Sequence, residues 1–129
     1  MALTSGIDLL EIERMQSAIA QFGQRFLQRI FTAQEMAEVG GNPASLAARF
    51  AAKEAVAKAL GTGIGPVCWQ EIEILRGDAN QPVLFLHGAA AQIAAQKRLK
   101  QWSVSLSHTH SHAIAVAVAL SPELPNHEA

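Results

Sequence analysis

The sequence predicts an α+β domain, ordered as a strand, several helices, two strands, a helix and two closing strands. Three observations carry that prediction. Apolar residues recur at helical spacing over 11–22 and 43–60. They alternate with polar or small residues over 71–75, 102–108 and 113–120. Breaks rich in glycine, proline or asparagine at 40–43, 61–66 and 76–82 separate these segments. The expected architecture is one domain over 1–120, a small antiparallel sheet packed against a long helix, followed by a tail at 121–129.

Each element has its own reason. Residues 3–10, "LTSGIDLL", read as a strand with Gly6 inside it. Ile12, Met15, Ile19 and Phe22 share one helical face, Gly23 interrupts, and "QRFLQRIF" resumes the helix. Thr32 and Glu35 form a T-x-x-E capping box that opens a short helix. Asn42 caps the next helix and Pro43 suits its first turn; Gly61 ends it near residue 60. "VCWQEIEIL" (67–75) and "VLFL" (83–86) form a hairpin around "RGDANQP". Residues 88–99 read as a helix. "WSVSLSH" alternates as a strand, and "AIAVAVAL" places Ile114, Val116, Val118 and Leu120 on one face and alanines on the other.

Composition narrows the function. The chain has 129 residues, half of them hydrophobic, with net charge −1, which argues against a general nucleic-acid binder. The single Cys68 excludes an internal disulfide, and with no apolar leader it predicts a reducing, cytoplasmic location. No apolar run is long enough for a membrane span.

The helix over 43–60 carries its charges in unusual places. Leu46, Phe50, Ala57 and Leu60 form an apolar stripe that contains Lys53, with Glu54 and Lys58 at its edge. The opposite side is alanine, so the helix has no wet face and reads as buried all round. Buried charges need partners. Glu54 and Lys58 could be a simple i,i+4 pair; Glu54 could also join Asp8 as two carboxylates for a hard cation such as Mg²⁺, which takes one or two carboxylates plus substrate phosphates. Taken alone, Asp8 reads first as a strand-end or turn aspartate. Lys53 either snorkels out of the stripe or reaches a nucleotide.

Other candidates are weaker alone. "GTGIGP" could cradle phosphates, yet it lacks a P-loop ending and follows a helix, and a C-cap explains Gly61. His108, His110 and His112 share a face if extended, but no Cys or acidic residue is nearby for zinc. A Ser-His-Thr corner facing an anion accounts for them better. Arg14, Arg25 and Arg29 are either solvated surface or a basic patch for an acidic partner.

Together these segments resemble the 4′-phosphopantetheinyl transferases of the holo-[acyl-carrier-protein] synthase type. The resemblance lies in "GIDLLEIERM" (6–15), "RFLQRIFTAQEM" (25–36), "RFAAKEAVAKALGTGIG" (49–65), "EIEIL" (71–75) and "VSLSHTHSHAIAVA" (104–117), in order along nearly the whole chain. Two departures stand out: one glycine before Ile7–Asp8 where relatives often have two, and "HSH" after "SHT" in place of a charged or aromatic turn. The resemblance implies that coenzyme A donates its phosphopantetheine arm to a serine of an acyl carrier protein, leaving adenosine 3′,5′-bisphosphate. It implies that Asp8 and Glu54 hold Mg²⁺ and that Glu54 is the catalytic base. Arg49, Lys58, Gly61, Ser107, His108 and Thr109 would bind coenzyme A, and Arg14, Arg25 and Arg29 the carrier. It also implies a homotrimer with active sites at subunit boundaries. The competing readings are a catalytically inactive coenzyme A or nucleotide-binding relative, and an interaction trimer using the alanine-rich surfaces.

Overall fold

The computed structural model describes residues 2–122. It contains β1 (Ala2–Glu11), α1 (Ile12–Ile30), α2 (Ala33–Val39), α3 (Pro43–Leu60), β2 (Ile72–Arg76), β3 (Pro82–Leu86), α4 (Gly88–Gln96), β4 (Gln101–His108) and β5 (His112–Ser121). The antiparallel order β1-β5-β4 makes one sheet, and β2 and β3 form a separate hairpin. The predicted element order holds. Ser121 extends β5 into the predicted tail, whose residues 123–129 lie outside the described residues.

Helix α3 is the axis of the domain. Asn42 accepts from the Ser45 N–H, Pro43 occupies the first turn, and Gly61 ends the helix in the left-handed conformation. The helix lies on the three-stranded sheet through small residues. Gly6 of β1 passes so close that an added Cβ would sit 2.0 Å from the Ala55 carbonyl oxygen. Ala113, Ala115, Ala117 and Ala119 of β5 are buried on the same face. The large aliphatics point away: Leu3, Ile7 and Leu9 of β1 are 68, 57 and 62 % exposed, and Ile114 and Val116 of β5 lie opposite Leu9 and Ile7 on that outer face. The small residues are inside because they let a helix backbone approach a strand closely.

Three expectations are corrected. The strand predicted over 67–75 begins only at Ile72, because a 3₁₀ turn occupies Trp69–Glu71. The turn is held by the Glu71 carboxylate, which accepts from the Cys68 N–H at 2.7 Å, and by the Lys53 ammonium, which donates to the carbonyls of Trp69 (3.1 Å) and Ile72 (2.6 Å). The helix predicted over 88–99 ends at Gln96, since Arg98 turns left-handed (φ 61°) and Leu99 bonds back to Ala94. Phe22, placed on the core face of α1 by its spacing, is exposed, because non-helical Gly23 (φ 63°) redirects the helix just after it.

Lys53 neither snorkels nor reaches outward. It is fully buried and pairs at 2.8 Å with the equally buried Glu35. Glu35 also closes its capping box by accepting from the Thr32 N–H, and it accepts from the Ile74 N–H. Burial pushes the Lys53 ammonium down, against the charge and hydrogen bond of Glu35. Close by, burial pushes the Glu73 carboxyl up, but the Thr32 hydroxyl, His87 and Lys53 outweigh it and hold it below the usual range. Glu35→Gln keeps the shape and strands the Lys53 charge. We expect it to cost about 3 kcal/mol, read as a lower urea midpoint at unchanged slope; an unchanged midpoint would mean the pair contributes nothing.

Candidate active site

Strand β1 and helix α3 cross at the close contact of Gly6 with Ala55, and the crossing assembles the first site. Two residues beyond Gly6, Asp8 projects from the same strand face. Lys58 reaches over the strand: its ammonium donates to the Ile7 carbonyl at 2.8 Å and lies 3.3 Å from Asp8 Oδ1. Glu54, one turn earlier on α3, completes the group. Its carboxyl is pushed up, first by burial and then by the negative charge of Asp8, with Lys58 opposing. Two neighbouring carboxylates are a pair of hard oxygen donors whose mutual repulsion a divalent cation would relieve. No group of three or more His, Cys, Asp or Glu suited to a metal occurs among the described residues. Two carboxylates open to substrate oxygens fit Mg²⁺ better than a closed cage would.

Gly61 sits at the end of the same helix face, seven residues after Glu54. Its loop is not an anion cradle. The Gly61 N–H donates to Lys58 O, and those of Thr62 and Gly63 donate to Ala57 O, so all three turn back to cap α3.

Arg49 and His108 belong to a second site. They line a cavity of about 180 Å³ with Ser45, Arg76 and Asn80. Arg49 is buried; its guanidinium donates to Ile74 O at 2.8 Å and pairs with Glu38 at 2.7 Å. His108 ends β4, and the Thr109 hydroxyl braces the following turn by accepting from the N–H groups of Ser111 and His112. Ser107 lies on the outer sheet face opposite Ile114, away from His108. The predicted coenzyme A residues therefore fall into two groups. Asp8 lies on β1 and His108 on β4, the opposite edges of the sheet. Arg76 and Asn80 were missed; they sit at the end of β2 and in the turn after it, a stretch whose composition says nothing of what it faces.

Arg25 and Arg29 are exposed on α1 around a shallow groove formed with Gln21, Phe22 and Phe26. Arg14 is exposed nearer the start of the helix. The sequence reading missed Phe22 as a surface group, because helical spacing alone puts it on the face of Ile12, Met15 and Ile19; Phe26 is half-buried beside it. Apolar anchors ringed by arginines suit a protein partner with an acidic rim.

A sequence profile of the 4′-phosphopantetheinyl transferase superfamily matches residues 5–117. A holo-[acyl-carrier-protein] synthase from Herpetosiphon aurantiacus is 47% identical over 113 residues, covering 82% of this chain and 89% of the relative. Among solved structures, the holo-[acyl-carrier-protein] synthase of Helicobacter pylori in complex with coenzyme A superposes with a TM-score of 0.83 at 32% identity, over 90% of this chain and 99% of that one. The enzyme from Neisseria meningitidis gives a TM-score of 0.84 at 35% identity, over 92% and 98%.

Proposed function

The chain belongs to the 4′-phosphopantetheinyl transferase superfamily, and from that premise we propose how its own residues carry the reaction. It transfers the 4′-phosphopantetheine group of coenzyme A to a serine of an apo acyl carrier protein. The convergence of Asp8, Glu54 and Lys58 where β1 crosses α3 is the observation that carries the assignment of roles.

Asp8 and Glu54 hold Mg²⁺, which when bound supplies charge neutralisation at the pyrophosphate. Lys58 faces the phosphate and places a positive charge where negative charge moves during transfer. The carrier serine oxygen forms a bond to the phosphorus of the pantetheine phosphate, and the bond to the adenosine 3′,5′-bisphosphate oxygen breaks. Positioning and electrostatics account for most of the rate in such a displacement. Glu54 takes the serine proton. Incubation with coenzyme A, Mg²⁺ and an apo carrier protein should add the phosphopantetheine mass to the carrier. No added mass would sink the reading and favour a non-catalytic coenzyme A binder.

The two half-sites imply how chains assemble. Arg49, His108 and Thr109 bind coenzyme A from one chain while Asp8, Glu54, Lys58 and Gly61 bind it from another, and Ser107 lies on the face between them. The exposed Leu3, Ile7, Leu9, Ile114 and Val116 form the contact, closing a homotrimer. Light scattering should give three times the 13.8 kDa chain mass. A fully active monomer would refute the shared site.

Arg14, Arg25 and Arg29 receive the carrier. Arg25→Glu should raise the carrier KM by about tenfold, leave the coenzyme A KM within about twofold, and flatten the salt dependence of transfer. With a net charge of −1, the molecule as a whole does not attract an acidic partner, so any attraction is local. Equal loss for both substrates would place Arg25 in the coenzyme A site instead. No helix among the described residues is long and apolar enough to cross a membrane; the lone, exposed Cys68 supports a reducing cytoplasmic setting.

A further inference from the structure

The loop that follows α3 lies where a phosphate should approach, yet its backbone is electrostatically wrong for one. A helix C-terminus carries negative potential. The N–H groups of Gly61, Thr62 and Gly63 cannot offset it, because they point back to the carbonyls of Lys58 and Ala57. Attraction for an anion here must come from cationic side chains. Lys58 is one. The other is Lys97, the residue that caps the end of α4, far away in sequence. Its ammonium donates to the Leu60 carbonyl, the last of the helix. It also stands directly against Gly61: a Cβ built there would lie 2.8 Å from Lys97 Nζ. Helical spacing puts residue 61 on the Glu54–Lys58 face. Lys97 thus fills the place of the missing side chain at the next turn of that face. It is exposed at the surface, and no carboxylate pairs with it among the described residues.

We infer that Lys97 is a second phosphate-binding cation of the active site. It uses one N–H to hold the end of α3 and leaves two for a substrate phosphate. This rests on the assignment of Lys58 and Gly61 to the coenzyme A phosphates and extends it to a residue outside the motif-bearing segments. The absence of a side chain at Gly61 acquires a reason beyond backbone geometry: any side chain would displace the ammonium.

The test is steady-state kinetics of Lys97→Met, Lys97→Arg and Lys58→Met, with thermal melts of each. Loss of a charge-assisted contact should raise the coenzyme A KM of Lys97→Met about tenfold. Its carrier KM and melting temperature should stay near the parent's, and its coenzyme A KM should depend less on ionic strength. Lys97→Arg should restore most of the affinity. If Lys97→Met only lowers the melting temperature, with coenzyme A KM unchanged, Lys97 merely caps the helix and the inference is wrong. If Lys58→Met raises the coenzyme A KM and Lys97→Met does not, the inference fails while the phosphate assignment stands. If neither variant moves it, the assignment of phosphates to this loop fails as well.

Discussion

Asp8→Ala and Glu54→Ala should each lower kcat/KM by about a thousandfold, because each removes charge stabilisation of several kcal/mol from the transition state. Neither side chain supports the core: both sit at the surface end of the β1–α3 crossing, only partly buried. The variants should therefore melt within a few degrees of the parent. Glu54→Gln sharpens the comparison. It preserves shape and hydrogen-bonding reach but removes the proton acceptor and the negative charge. Raising Mg²⁺ should partly rescue Asp8→Ala, whose loss is one of affinity for the cation, and should not rescue Glu54→Gln, which also lacks the base. Near-parental turnover of either alanine variant at saturating Mg²⁺ would remove that residue from the site.

Gly6→Ala should be the most damaging substitution in the core. The added Cβ would lie 2.0 Å from the Ala55 carbonyl oxygen and 2.9 Å from the Ala59 nitrogen, both backbone atoms of α3. No rotamer relieves such an overlap, so strand and helix must separate. Overpacking of a close-packed core costs about 1–3 kcal/mol when side chains can yield; here a backbone must, and more than about 4 kcal/mol is expected. Where the variant does fold, separation of β1 from α3 draws Asp8 away from Glu54, so activity should fall further than stability alone explains. Chemical denaturation and transfer activity measured on one preparation check both. A variant with parental stability would show that the crossing is looser than the close contact implies.

Local chemistry was legible in the sequence. Asn42, Pro43 and Gly61 mark both ends of α3, and the Thr32–Glu35 box opens α2 as its spacing requires. A helix without a wet face leaves its charges needing partners, so Glu54 reads as pairing with Lys58 or joining Asp8 at a cation; the contact of Lys58 with Asp8 itself comes from the structure. What was hidden depends on contacts distant in sequence. Glu35 reads as a capping residue, and nothing local says that its carboxylate also buries against Lys53 eighteen positions later. The alternation in β5 fixes two faces but not which one meets the helix; the usual preference for large aliphatics inside gives the wrong answer. The separation of Arg49 and His108 from Lys58 was also invisible, because sharing a helix or a motif does not mean sharing a side of the sheet.

On the proposed assembly, a newly made chain would carry the bulky side chains of β1 and β5 on the uncovered side of its sheet until other copies arrive. Strand β1 is also an edge strand, and an apolar edge invites pairing with whatever strand it meets first. Yield of usable protein should thus depend on concentration in both directions. Dilute chains wait longer for their neighbours, while crowded chains collide before their edges are settled. Ile7→Lys should make the single chain easier to keep in solution and, in the proposed assembly, hold the two half-sites apart. On these two strands, solubility of the monomer and activity of the proposed assembly would be opposed.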